Sequence, residues 1–207
     1  MLNYIPAEAL GGWEPLTAEE VASIFRSATF PWWIVGGRAL DLFIGRETRK
    51  HVDIEVAILR QDQAALRDLL GSWEVWYMPE PGKGLLRWDR GTALTQEAHE
   101  IWSRETGHDL WQLEVLIEEA LGDQWIYRRD DRVSAPISEF GLKIDGVPVI
   151  RPEIALLYKS KGARERDHAD FAAVLPLLDS SARSWLASAL ETVGTGQQWL
   201  PAIREGS

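Results

Sequence analysis

Apolar residues fall at helical spacing in "LTAEEVASIFRSA", where Val21, Ile24, Phe25 and Ala28 share one face. Thr17 followed by Glu20 has the capping-box pattern, so a helix is expected to start here. "WWIV" at 32–35 is a short, wholly apolar run and predicts a buried strand. Gly36-Gly37 then turns the chain into "RALDLFIG", a short helix that Gly45 can end. In "VDIEVAIL" the pattern alternates, with Val52, Ile54, Val56 and Ile58 on one face of a strand and Asp53, Glu55 and Ala57 on the other. "DQAALRDLL" returns to helical spacing with Asp62 as N-cap, and "WEVWYM" reads as a strand.

Residues 79–96 carry "PEPGKG" and further breakers, which predicts a loop with a strand near Leu86–Trp88. "HEIWSR" and "WQLEVLIEE" read as paired strands around the turn "ETGHD", and "QWIYRR" as another strand. Residues 139–150 have the pattern of a hairpin with Asp145-Gly146 at its turn. From Pro152, a residue well placed at a helix start, the spacing is helical in "PEIALLYKSKGA", "DHADFAAVLPLLD" and "SARSWLASAL". The expected fold is α+β, a mixed sheet flanked by helices over 1–150, then a C-terminal helical segment over 151–207. There is no internal repeat and no low-complexity tract.

Composition narrows the function classes. The 207 residues are 45% hydrophobic, enough for a sizeable core. No apolar run approaches the roughly 20 residues a membrane helix needs, and the N-terminus lacks a basic region followed by an apolar core. With no cysteine, disulfides and Cys-based zinc sites are excluded, which fits a cytoplasmic protein. A net charge of −10 argues against a nucleic-acid partner, because neutralising phosphate needs a basic surface. It would suit a cationic small molecule, although solubility alone also explains it. The eleven tryptophans supply large apolar area for a core or for ligand walls.

Two features carry chemistry. On a strand, Asp53 and Glu55 project from the same face about 7 Å apart at their Cα atoms. Each carboxylate raises the cost of ionising the other. A divalent cation between them reverses that penalty, and oxygen ligands of this kind suit magnesium. Taken alone, Asp-x-Glu also describes a solvated strand face. Gly36-Gly37 lies between a strand and a helix, where backbone N–H groups form an anion site. Arg38 in the first turn opposes the helix dipole and makes sense beside an anion such as a triphosphate.

"VGG" at 35–37 followed by "VDIEV" at 52–56 resembles the signature of the nucleotidyltransferase superfamily, to which DNA polymerase β belongs. "GGRALDLFIGRETRKHVDIEV" is similar to the corresponding stretch of the aminoglycoside 2″-adenylyltransferase and lincosamide nucleotidyltransferase group, as are "IYRRDDRV" and "GVPVIRPEIALLYKSKGARERDHADF". Arg38 stands where that group usually has Trp, and Glu55 and Glu114 where it often has Asp.

The resemblance implies a nucleotidyltransferase-like sheet and a third carboxylate on a neighbouring strand, best met by Glu114 in "WQLEVLIEE". It implies two magnesium ions held by Asp53, Glu55 and Glu114, with Glu114 as metal ligand or general base, and ATP or another nucleoside triphosphate as donor. Gly36, Gly37, Arg38, Arg46, Arg49 and Lys159 are the implied nucleotide-binding residues, with Lys50 and His51 also near the phosphates. His99 and Glu100 are candidates for the acceptor site. Asp167 and Asp170 resemble a recurrent family segment, but their spacing also reads as a helix cap, which is the preferred reading. The expected activity is transfer of a nucleoside monophosphate, AMP from ATP, to a hydroxyl of a small molecule such as an aminoglycoside or lincosamide. Two alternatives stay open: transfer to protein or tRNA in a toxin–antitoxin system, or a catalytically idle nucleotide-binding module. The acceptor and the oligomeric state are not legible.

Overall fold

A computed structural model of the chain describes residues 3–205. The elements begin with β1 (Tyr4–Ile5), α1 (Ala18–Ile24), β2 (Trp32–Val35), α2 (Gly36–Ile44), β3 (Glu55–Leu59) and α3 (Gln63–Leu69). Five strands follow: β4 (Trp73–Met78), β5 (Leu85–Arg87), β6 (Glu100–Glu105), β7 (Leu113–Leu121) and β8 (Gln124–Ile126). The chain ends with β9 (Ser134–Pro136), β10 (Gly141–Ile144), β11 (Val147–Ile150), α4 (Pro152–Lys159), α5 (Glu165–Val174), α6 (Ser180–Val193) and α7 (Leu200–Glu205). Among the described residues this is an α+β architecture of eleven strands and seven helices. No helix among them is long and apolar enough to cross a membrane.

The chain forms two compact units, one from residues up to Ile34 and His51–Glu119, the other from Val35–Lys50 and Ala120 onward. The first holds the strand order β1-β5-β4-β6-β7-β3-β2. β3 runs parallel to β7, while β6 is antiparallel to both β7 and β4, so the sheet is mixed. One face buries Val56, Ile58, Val75, Ile101, Val115 and Ile117. A satellite core of Trp76, Met78, Leu85 and Trp111 closes with Leu10, Trp13 and Trp102. Thr17 caps α1 through the full capping box: its Oγ1 accepts from the Glu20 N–H at 3.2 Å, and the Glu20 carboxylate accepts from the Thr17 N–H at 2.8 Å.

In the second unit β8 pairs with β9 and β10 with β11, each antiparallel. The β10–β11 turn has φ of 50° at Asp145 and 84° at Gly146, the left-handed pair an Asp-Gly hairpin uses. Pro152 opens α4, which packs on α2, α5 and α6. Leu156, Leu157, Leu186 and Leu190 fill that interior, and Phe171 stacks on Trp199 with ring centroids 4.5 Å apart. The change to helix expected near Arg151 falls inside this unit.

The structure departs from the sequence expectations at several elements. The strand expected from Val52 begins only at Glu55, and Val52 is exposed rather than on the buried face. Asp62 precedes α3 but its carboxylate makes no capping bond; Oδ2 is buried without a partner, and burial raises its pKa. "QWIYRR" is a strand only over its first three residues. β1, β9 and α7 are too short or too weakly patterned to have been read from sequence.

Candidate active site

In the first unit, the parallel pairing of β3 with β7 sets Glu55 opposite Glu114. The antiparallel pairing of β6 with β7 sets Trp102 opposite Glu114 and Glu100 opposite Leu116. Cross-strand partners project from the same face, so Glu55, Glu114 and Trp102 form one row, with Glu100 two residues along. Asp53 lies in the segment just before β3 and is half-buried. That segment is tied to β7, because the Glu114 N–H donates to the Ile54 carbonyl at 3.1 Å. The open face is therefore acidic, while the reverse face is aliphatic.

Glu114 sits at the electrostatic centre of this row. Its pKa is raised well above the ordinary carboxylate range, first by loss of water around it, then by repulsion from Glu55, Glu100 and Asp53. The Trp102 indole opposes that rise by donating to Glu114 Oε1 at 3.3 Å. Trp102 is itself held edge-on between Trp13 and Trp111, at centroid distances of 4.9 and 5.6 Å. His99 faces Glu100, with Nε2 3.6 Å from Oε1, and its Nδ1 lies 2.9 Å from the Glu97 carbonyl.

Among the described residues, no group of three or more His, Asp and Glu side chains stands close enough together to hold a metal ion as the chain is arranged here. The donor chemistry of Asp53, Glu55 and Glu114 does fit magnesium. All are hard oxygen ligands, and the like-charge strain on Glu114 is the penalty a divalent cation relieves.

In the second unit, α2 begins directly at Gly36 rather than after a Gly-Gly turn. Gly36 has φ of 68°, a left-handed conformation that favours glycine, and Gly37 is buried. No side chain caps this end of α2, the state in which helix N–H groups can receive an anion. Arg38 is half-buried, with Nη1 3.8 Å from Glu47 Oε2. Arg46 is exposed, and its N–H donates to the Asp41 carbonyl at 3.2 Å.

Arg49 and Lys159 converge on one buried carboxylate. Arg49 donates to Asp170 in bidentate fashion, at 3.0 Å from Nε and 3.1 Å from Nη2, and Lys159 Nζ lies 2.7 Å from Asp170 Oδ2. Lys159 is therefore not a surface lysine. Burial would raise the pKa of Asp170, but the hydrogen bonds from Arg49 and Lys159 outweigh it and hold the carboxyl below its usual range. Asp167 is not the N-cap expected: α5 begins at Glu165 with Arg164 as N-cap, and Asp167, in its first turn, accepts from the Arg164 N–H through Oδ2 at 3.0 Å. Asp170 does not cap; it anchors the two cations. His51 is buried, and Lys50 is exposed.

Sequence reasoning missed Trp102, Asp41 and the anchoring role of Asp170. Asp41 Oδ1 accepts from both the N–H and the hydroxyl of Thr48, at 3.0 and 2.6 Å. The available signal was that Asp41, Thr48 and Arg49 lie close together inside the glycine-to-aspartate stretch.

Residues 18–76 match the model of the aminoglycoside-2''-adenylyltransferase family. The matched segment contains Gly36, Gly37, Asp53 and Glu55; Glu114 and Lys159 lie beyond it. The fold of the chain is similar to that of the lincosamide antibiotic adenylyltransferase LnuA, solved with lincomycin bound: TM-score 0.53 and 15% identity, covering 79% of this chain and 98% of that one. It is also similar to the antibiotic-resistance factor ANT(2'')-Ia in solution, with TM-score 0.50 and 19% identity, covering 82% of this chain and 87% of that one. No curated protein sequence matches the chain.

Proposed function

We propose that this chain transfers AMP from ATP to a hydroxyl of a small-molecule acceptor, of the aminoglycoside or lincosamide kind. The observation that carries the reading is the row formed by Glu55 and Glu114 on adjacent parallel strands, with Asp53 immediately upstream. Three acids so placed repel one another and serve no packing purpose, but they form a donor set for metal-bound triphosphate. The match to an aminoglycoside adenylyltransferase family supports the reaction class, and the likeness to a lincomycin-bound adenylyltransferase extends the acceptor class.

Asp53, Glu55 and Glu114 would hold magnesium, which would neutralise charge on the attacking and leaving oxygens at the α-phosphorus. The acceptor oxygen bonds to that phosphorus as its bond to pyrophosphate breaks. Glu114, in the same row as the other acids, would take the hydroxyl proton as general base. The Trp102 N–H keeps Glu114 Oε1 oriented while Oε2 stays available. Gly36, Gly37, Arg38, Arg46, Arg49 and Lys159 are the proposed nucleotide-binding residues. His99 and Glu100, with the half-buried Trp102, give the acceptor side an acidic and aromatic character suited to a cationic molecule.

Calorimetry with ATP, GTP, CTP and UTP plus magnesium, on wild type and Asp53→Ala, tests this reading. Magnesium-dependent binding that Asp53→Ala abolishes is expected. Absence of binding by any nucleotide would turn the assignment to an idle module.

A further inference from the structure

We infer that Asp170 is a positioning residue: it holds Arg49 and Lys159 together on one buried carboxylate, presetting a pair of cations for the phosphates of the nucleotide. The inference rests on the nucleotidyl-transfer reading above.

The two cations come from segments more than a hundred residues apart. Arg49 lies in the loop after α2 and Lys159 at the end of α4. Both are long side chains with many rotamers, and each would lose that freedom on meeting a ligand. Asp170 removes the freedom in advance. Its bidentate grip fixes the Arg49 guanidinium plane, and its Oδ2 takes Lys159 at 2.7 Å. Asp170 is 3% exposed, so this is not a solvated surface pair that breaks and re-forms cheaply.

The cations are shared among several carboxylates. Arg49, Lys159 and Arg164 face Asp167 and Asp170, with Lys159 Nζ also 3.6 Å from Asp167 Oδ1 and Arg164 Nε 2.9 Å from Asp167 Oδ2. Asp41 also acts on the Arg49 charge, so three cations meet three carboxylates and the pair is held in place by pairing rather than by surplus charge.

The loop that carries Arg49 is held a second time. Asp41, also buried, accepts two hydrogen bonds from Thr48, the residue before Arg49. Thr48 and Arg49, adjacent in the loop between α2 and β3, are thus clamped by two buried aspartates. A loop serving only as a connection has no need of two such clamps.

The test is the affinity for magnesium-ATP and for tripolyphosphate, by calorimetry, in Asp170→Asn, in Arg49→Ala/Lys159→Ala, and in the triple variant. Asp170→Asn is expected to weaken both ligands about tenfold, because the amide cannot hold two cations. In the Arg49→Ala/Lys159→Ala background the same change is expected to shift affinity less than about twofold, since it acts only through those side chains. A purely structural Asp170 would lower Tm yet leave affinity of the folded protein within twofold, which overturns the inference. Tighter binding in Asp170→Asn also overturns it, because the carboxylate would then be a competitor of phosphate. If Asp170→Asn does not fold, Arg49→Lys decides: it keeps the charge but loses the bidentate grip, so affinity should fall about threefold, and an unchanged value is contrary. Failure of wild type to bind either ligand removes the nucleotidyl-transfer reading and this inference with it; binding by wild type with no effect in the variants removes the inference alone.

Discussion

Glu114→Gln should abolish transfer and at the same time stabilise the metal-free protein. Glu55 and Glu114 are direct partners on neighbouring strands, which sets such side chains on the order of 5–6 Å apart. Two like charges at that distance repel by about 3 kcal/mol at an effective dielectric near 20. Glu100 and Asp53 add to the repulsion, while relaxation and water reduce it, so a net gain of about 1–2 kcal/mol is expected on removing the Glu114 charge. For a chain of this size that corresponds to a rise in Tm of about 2–8 °C. The glutamine keeps an acceptor for the Trp102 N–H, so the packing around it persists. The sign with pH follows from linkage. The folded-state pKa of Glu114 lies above its unfolded value, so its contribution is fully present below the unfolded pKa and is lost as pH rises through the folded one. Wild type should therefore lose stability more steeply than Glu114→Gln as pH rises above the ordinary carboxylate range. Thermal melts from pH 4 to 8 in chelator read both effects. A Tm at pH 7 that falls in the variant, or parallel pH profiles, would mean that Glu114 carries no such strain.

Trp102→Phe keeps the ring between Trp13 and Trp111 but removes the donor to Glu114. Steady-state kinetics should show kcat reduced by about tenfold, with Tm within about 2 °C of wild type. Asp41→Ala strips both Thr48 donors of their acceptor and should cost about 2 kcal/mol, a fall in Tm of about 4–8 °C in a thermal melt. Asp167 and Asp170 have depressed pKa values, so their stabilisation is present above the unfolded pKa and is lost as pH falls through the folded one. Acid unfolding followed by circular dichroism should be shallower in Asp170→Asn than in wild type.

Local patterns were readable wherever one residue type does one job. The capping box at Thr17 and Glu20, the Asp145-Gly146 turn and the Pro152 helix start each depend on neighbours in sequence, and each is formed. Asp53 and Glu55 stood out because acids alternate there with aliphatic residues. Glu114 needed the family resemblance, since nothing local says which strand lies beside β3. Pairing register then brought in Trp102, which no spacing rule could place opposite Glu114. Arg49 and Lys159 were legible as cations but not as partners of Asp170, because Arg49 and Asp170 are 121 residues apart. Asp62 shows the converse: a residue of the right type at a helix start, whose carboxylate is buried without making the cap.

Group transfer is read without intermediaries in its product. Wild type and Asp53→Ala are incubated with ATP, magnesium and a panel of aminoglycosides and lincosamides, and each acceptor is weighed by mass spectrometry while pyrophosphate is assayed. At least one acceptor should become heavier by one AMP, with pyrophosphate released in equal amount, and neither should occur in Asp53→Ala or in chelator. Magnesium-ATP binding without adenylylation of any acceptor, or transfer that survives Asp53→Ala, would contradict the proposed reaction.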